Sequence, residues 1–194
     1  MLLYWTTVGK FVPEQLLHPG RSAAVGSAEA WSLLIYALKN DFGLELPLVE
    51  IQPGGRPWFP EMPNLHFSLS HTKGAALAAI SHFPVGADVE SRRSVHESTA
   101  RRLLETPHGD LELFELWTLR ESWFKLTGKG DLRSIPISRE NGRIILPDWA
   151  DKVFCKLYTD IPECAAAVCC QGKQPPETIR FIEQQQLLKN QNEM

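Results

Sequence analysis

Four ionisable residues in two short runs have the types and spacing for chemistry on phosphate. Asp88 and Glu90 lie in Val85-Gly86-Ala87-Asp88-Val89-Glu90, and Glu121 and Lys125 lie in the run from Trp117 to Lys125. Val85 to Val89 reads as a strand end, and successive strand side chains point to opposite faces. Asp88 and Glu90 therefore share a face while Val89 points away. From Trp117 to Thr127 breakers are few and the spacing is helical, so Glu121 and Lys125 stack one turn apart on one face. Two strand carboxylates and a helix carboxylate suit a hard cation such as Mg²⁺, which takes oxygen ligands and completes its shell with water and substrate phosphate. A lysine one turn away would lie beside that phosphate. The chemistry implied is metal-assisted reaction of a phosphate ester or anhydride. Each run alone has a plainer reading. A strand-end Asp-x-Glu pair is commonly a solvated edge, and a helix Glu–Lys pair is usually a surface pair worth roughly 0.2–0.5 kcal/mol. Their order and company carry the assignment.

The elements that must position these groups alternate along the chain. Leu2 to Val8 reads as a strand rich in aromatic and β-branched residues, and Pro13 to Gly20 as a connector. Ser27 to Phe42 reads as an amphipathic helix, with Trp31, Leu34, Ile35 and Leu38 at helical spacing and Gly43 as its C-cap. Pro47 to Pro63, rich in proline with a Gly54-Gly55 pair, reads as loop and short edge strand. His66 to Ser70 alternates like a half-buried strand, Thr72-Lys73-Gly74 turns, and Ala75 to Ser81 is a strand with the small run AALAAI. Phe83-Pro84 then leads into the carboxylate strand. Leu111 to Leu126 reads as a helix ending at Gly128. Strands follow near Ile135–Ser138, Arg143–Leu146, Val153–Tyr158 and Cys164–Cys170, and Arg180 to Leu188 closes the chain as strand or helix. The small runs at Ala75–Ile80 and Cys164–Cys170, each after a strand and short turn, suggest an internal duplication. The expected fold is α+β: a pseudo-dimer of two similar subdomains, 1–90 and 91–194, each a long helix packed on an antiparallel sheet. The site would lie between them.

Twenty basic against 23 acidic residues leave a net charge of −3, which argues against broad nucleic-acid binding while allowing a local basic pocket. The start, MLLYWTTVGKF, lacks the basic n-region and cleavage pattern of a signal peptide. No apolar run approaches a membrane span. Cys155, Cys164, Cys169 and Cys170 have no C-x-x-C spacing and read as reduced, mostly buried thiols of a cytoplasmic protein.

Four blocks, in order, resemble the 4′-phosphopantetheinyl transferases of the surfactin-synthetase-activating type. Gly55-Arg56-Pro57 is similar to that family's Gly-Lys-Pro, and Phe67-Ser68-Leu69-Ser70-His71 to its Phe-Asn-x-Ser-His. Gly86 to Glu90 is similar to its Gly-x-Asp-x-Glu metal block. Trp117 to Lys125, followed by Gly128-Lys129-Gly130, is similar to Trp-x-x-Lys-Glu-(Ser/Ala)-x-x-Lys with its trailing Gly-x-Gly. The family transfers phosphopantetheine from coenzyme A to a serine of an apo carrier protein and releases 3′,5′-ADP. The resemblance implies Mg²⁺ (or Mn²⁺) held by Asp88, Glu90 and Glu121, with Glu121 also a general base and Lys125 meeting the departing phosphate. Arg56, Ser70, His71 and Lys129 would contact coenzyme A, with Arg21 the candidate for the adenosine 3′-phosphate.

Departures are visible as well: Arg120 and Arg56 stand where the family has lysine, and Trp31 where its first helix often has arginine. The carrier protein would dock near Arg92–Arg102, whose Arg92, Arg93, Arg101 and Arg102 suit an acidic surface, although a solvated charged face reads equally well. A pseudo-dimeric chain is expected to work as a monomer, without nucleic acid or membrane. The competing readings are a non-catalytic carrier-binding homologue and a Mg²⁺-dependent hydrolase of nucleotide pyrophosphates.

Overall fold

The computed structural model describes residues 1–9 and 27–192, so the connector expected at Pro13–Gly20 lies outside the described residues. Two sheets dominate a mixed α+β fold. The first contains β1 (Leu2–Thr7), β4 (His66–Thr72), β5 (Ala75–Ser81) and β11 (Arg180–Phe181), in the order β11-β1-β5-β4. Its pairs are antiparallel except the short parallel match of β11 to β1. The second holds β6 (Val85–Ser91), β9 (Val153–Tyr158) and β10 (Cys164–Gln171), antiparallel, in the order β6-β10-β9. Every residue of β5 is buried, and so is every residue of β10 from Cys164 to Cys170. These strands are covered on both faces, so their small side chains let the covering layers approach closely.

Each sheet carries a helix on its outer face. The α1 helix (Ser27–Ala37) packs Trp31, Leu34 and Ala37 onto Tyr4, Phe67 and Ala78. It runs on as a wider π-type turn, Leu38–Phe42, closed by Gly43 at φ 65°, whose N–H donates to the Leu38 carbonyl. The single helix expected over Ser27–Phe42 thus changes pitch for its last turn. The α3 helix (Leu113–Thr127) packs Leu116, Leu119 and Trp123 onto Ala167 and Cys169. Glu115 starts it by accepting from the Glu112 N–H at 3.0 Å, half of a capping box. Gly128, at φ 65°, ends it by donating to the Phe124 carbonyl. A third cluster lies between the inner faces, where Leu77 and Ala79 of β5 meet Val85, Ala87 and Val89 of β6 and Ala166 and Val168 of β10.

The two sheets meet at the edges of β4 and β6, and side chains take the place of a backbone ladder there. Ser68 accepts from the Ala87 N–H at 2.9 Å, Ser70 from Val89 at 3.2 Å and Thr72 from Ser91 at 3.1 Å. The hydroxyls recur every second residue, so all three stand on one face of β4. Phe67 and Leu69, on the other face, pack toward α1.

The remaining elements are peripheral. A hairpin joins β2 (Glu50–Ile51) to β3 (Pro57–Trp58), and another joins β7 (Ser138–Glu140) to β8 (Arg143–Ile145). Ile135 and Ile137, expected in a strand, instead serve as buried anchors ahead of β7. The α2 helix (Glu97–Leu103) follows β6, and α4 (Gln184–Asn192) follows β11, so the closing segment is both strand and helix. The expectation of four reduced thiols is corrected. Cys155 and Cys169 are directly opposed on β9 and β10 and form a disulfide, while Cys164 and Cys170 are free and buried. Sequence spacing carries no information on which cysteines a ladder will place face to face.

Candidate active site

The side-chain period of β6 sends Val85, Ala87 and Val89 into the central core and leaves Gly86, Asp88 and Glu90 for the side where α3 lies. A Cβ at Gly86 would come within 2.0 Å of the Ser122 carbonyl oxygen and 2.5 Å of the Leu126 nitrogen. Only glycine permits that approach, and it brings the helix down onto the carboxylate strand.

From α3, Lys125 reaches into the seam. Its ammonium donates to Asp88 Oδ1 at 2.7 Å and to the Ala87 and Leu69 carbonyls at 3.2 and 3.4 Å, one from each sheet. Ser70 donates to the same Asp88 oxygen at 2.7 Å. Asp88 Oδ2 is buried with no hydrogen-bond partner among the described residues. Glu90, one strand repeat on, accepts from Arg93 at 2.7 Å and from Thr72 at 3.4 Å. Glu121, one turn before Lys125, is half-buried. Burial first, then the Asp88 charge with a contribution from Glu90, pushes its carboxyl above the usual range, against the pull of Lys125.

These residues fit a hard cation by donor chemistry. Three carboxylates that repel one another supply only oxygen ligands, and one buried Asp88 oxygen is unused. As they stand, no three His, Cys, Asp or Glu side chains among the described residues are gathered closely enough to hold a metal. Lys125 holds Asp88, and Arg93 holds Glu90.

The other predicted residues are distributed around this centre. His71 is exposed at the end of β4. Partial desolvation, then the Lys125 charge, hold its ring below the usual histidine range, while Glu29, Asp88 and Glu90 pull the other way. Arg56 donates to the Leu126 carbonyl at 3.1 Å and the Val85 carbonyl at 3.5 Å, bridging the end of α3 to the start of β6. Lys129 is exposed just beyond α3. Arg21 lies outside the described residues.

Arg120, which stands where the family has lysine, is buried. It donates to the Ile135 carbonyl at 3.0 Å, the Leu103 carbonyl at 2.8 Å and the Thr106 hydroxyl. It is a clamp between α3 and the segments beside it, a use the planar guanidinium fork suits. Sequence reasoning missed Thr72, though the run Ser68-x-Ser70-x-Thr72 carried its signal, and missed the buried Glu29 on α1.

Beside Glu121 opens a cavity of about 540 Å³ lined by Leu103, Trp117, Phe124 and Leu132, with Arg102 and Arg133 among its charged walls. In the Arg92–Arg102 segment three cations have acidic neighbours: Arg92 with Glu112, Arg93 with Glu90, and Arg101 with Glu97. No helix of the described residues is long and apolar enough to cross a membrane.

No family model matches the chain. Individual relatives do. The 4′-phosphopantetheinyl transferase ffp of Bacillus subtilis is 31% identical over 156 residues, 71% of this chain and 69% of the relative. The 4′-phosphopantetheinyl transferase Sfp of Bacillus subtilis strain 168 is 28% identical with the same coverage. A relative named 4′-phosphopantetheinyl transferase psf-1, from Bacillus pumilus, is 28% identical over 166 residues, 77% of this chain and 71% of its own. With the four motif blocks in order and a relative of that identity and coverage, the chain belongs to the 4′-phosphopantetheinyl transferases and is an enzyme of that family.

Proposed function

We propose that this protein transfers the 4′-phosphopantetheine group from coenzyme A to a serine hydroxyl of an apo acyl or peptidyl carrier protein, releasing 3′,5′-ADP in a Mg²⁺-dependent reaction. The observation that carries this reading is the constellation at the seam: Asp88 held by Lys125 and Ser70, with a buried oxygen to spare, beside Glu90 and Glu121. In the reaction the serine oxygen forms a bond to the phosphorus of the pantetheine phosphate. The bond from that phosphorus to the bridging pyrophosphate oxygen breaks, and the electron pair leaves with 3′,5′-ADP.

Glu121 takes the serine proton. Its raised carboxyl suits a base that must also tolerate protonation. Lys125 sits one helical turn away, on a short reach between two carbonyls, where it can turn from Asp88 to the departing phosphate. Asp88, Glu90 and Glu121 would hold Mg²⁺, which when bound supplies Lewis-acid polarisation of the phosphate oxygens. His71, Ser70, Lys129 and Arg56 would contact the nucleotide end of coenzyme A, with Arg21 assigned to the 3′-phosphate. Arg56 must first give up part of its clamp, so its contribution is the smallest of the set.

Two further parts of the reading concern arrangement. The halves 1–90 and 91–194 act as a pseudo-dimer, supported by two outer helices over two sheets, each sheet built around a small, fully buried strand. Strands cross that boundary, since β6 pairs with β10 and β11 returns to β1. A pseudo-dimer needs no second copy, so the working unit is a monomer. The carrier docks on the Arg92–Arg102 face, where Arg102 has no acidic partner among the described residues. The site of action is the cytoplasm.

The test is intact mass of several apo carrier proteins incubated with the enzyme and coenzyme A, with Mg²⁺ or with EDTA. Addition of one phosphopantetheine mass only with the metal is expected. Tight coenzyme A binding without any loaded carrier would replace this reading with a non-catalytic carrier-binding role. Coenzyme A cleaved with every carrier unmodified would replace it with a pyrophosphate hydrolase.

A further inference from the structure

The hydroxyls of β4 do two jobs along the seam, and the division between them follows the register. Ser68 touches only backbone: it accepts from the Ala87 N–H at 2.9 Å and faces the Ala87 carbonyl at 3.5 Å. Ser70, two residues on, accepts from the Val89 N–H at 3.2 Å and donates to Asp88 Oδ1 at 2.7 Å. Thr72 accepts from the Ser91 N–H at 3.1 Å and has two acceptors for its own proton, Ser91 Oγ at 3.2 Å and Glu90 Oε2 at 3.4 Å. Because both strands repeat every second residue, each hydroxyl meets the next residue pair of β6. The backbone bonds fix the height of β6 against β4. A carboxylate then stands within reach of the hydroxyl at two of the three heights, Asp88 at Ser70 and Glu90 at Thr72.

We propose that Ser70 and Thr72 are positioning residues that aim the Asp88 and Glu90 carboxylates at a shared divalent cation, while Ser68 serves only to join the sheets. This rests on the transferase reading of the site. The physical warrant is that hydrogen bonds to ligating carboxylates fix their orientation, and that losing such a partner typically weakens metal affinity roughly 10–100-fold. Ser70 has the larger part in this scheme, since its bond to Asp88 is 2.7 Å against 3.4 Å from Thr72 to Glu90. Arg93 donates to the same Glu90 oxygen at 2.7 Å, and Thr72 reaches it from the side of the first sheet. Each carboxylate keeps a cationic partner when its hydroxyl is lost, Asp88 in Lys125 and Glu90 in Arg93.

Mn²⁺ binding, followed by loss of the free-ion electron paramagnetic resonance signal, is measured on the intact protein together with its thermal midpoint. Wild type is compared with Thr72→Val, Thr72→Ser, Ser70→Ala and Ser68→Ala. The expected pattern is about a tenfold or greater loss of Mn²⁺ affinity in Ser70→Ala, a smaller loss in Thr72→Val, and wild-type affinity in Thr72→Ser. Ser68→Ala is expected to lower the midpoint while keeping wild-type affinity. Equal affinity in Thr72→Val and wild type, at any midpoint, would overturn the positioning role. So would a loss in Ser68→Ala as large as that in Thr72→Val, because the effect would then be one of sheet joining alone. Thr72→Ser keeps the hydroxyl and tests the role even if the valine variant folds poorly. Wild type that binds no Mn²⁺ would overturn the metal assignment of the site itself, a failure distinct from either of these.

Discussion

Each of the two helix-on-sheet halves buries one carboxylate, and the contrast between them shows how this fold separates a site from a core. On the α3 side, Asp88 is nearly closed from solvent yet held by Ser70 and Lys125. On the α1 side, Glu29 is fully buried and neither of its oxygens has a hydrogen-bond partner among the described residues. The helices do not differ in their apolar stripes; both lay Leu and Trp on small strand residues. They differ in where their edges fall. The edge of α3 crosses the seam, where carbonyls and hydroxyls of two sheets are available to a lysine, whereas α1 covers the closed face of a single sheet. A charged group survives burial where the backbone ladder is interrupted and costs stability where it is complete.

The largest expected effect breaks the approach on which the α3 side depends. Gly86→Ala would drive a methyl group into the backbone of α3, where no flexible side chain can yield. A loss of about 3 kcal/mol or more in denaturant unfolding is expected, with transfer activity falling in parallel. Wild-type stability would show that α3 is held less tightly than the contrast requires.

Next in size is a pair of changes with opposite signs. Lys125→Met leaves Asp88 buried without its cation and should cost about 2–3 kcal/mol, somewhat below a fully buried pair because the lysine keeps some solvent contact. Glu29→Leu removes an unpartnered buried carboxylate and should stabilise by roughly 1–3 kcal/mol. The same sign for both in chemical denaturation would erase the distinction drawn between the two sides.

A smaller effect concerns Glu121 and pH, in metal-free protein. Its carboxyl lies above the ordinary value of 4.5, mainly through burial and then through Asp88. The folded protein therefore holds that proton more tightly than the unfolded chain. Its ionisation costs no stability below the unfolded pKa, and the cost grows as pH rises from there through the folded pKa. Glu121→Gln should thus gain on wild type in thermal midpoint between acid and neutral pH. A constant difference across that range would contradict the burial of Glu121.

The smallest effect is on the rim. Arg102→Glu should raise the KM for carrier protein by about tenfold or less, through slower encounter, and leave the KM for coenzyme A unchanged. Equal changes in both would remove this face from docking.

The sequence made the carriers of chemistry legible because their types and periods are local properties. Asp88 and Glu90 share a strand face, and Glu121 and Lys125 share a helix face, whatever the rest of the chain does. What it left hidden is non-local. Nothing in the period of β6 says that its partner is β10 rather than β5, so a site between the halves could be expected but not which strand edges would meet there. Without the seam, Ser68, Ser70 and Thr72 look like ordinary edge residues. The pairing of Cys155 with Cys169 depends on ladder register in the same way. Arg56 is expected at phosphate from its neighbours in sequence, and Arg120 stands where the family has lysine. Both spend guanidinium donors on backbone carbonyls from distant segments, contacts that no local pattern announces.

The central claim is that the carboxylate cluster at the seam performs the transfer, and it is tested most directly by the rate of carrier loading in Asp88→Asn and Glu121→Gln. Intact mass would follow the loading, and equal folded fractions would be verified by circular dichroism. The account predicts that Glu121→Gln loses about 10²–10⁴-fold in rate, as for removal of a general base, while remaining at least as thermally stable as wild type at neutral pH. Asp88→Asn should lose activity to a similar extent. Loading at near wild-type rates by either folded variant would contradict the account.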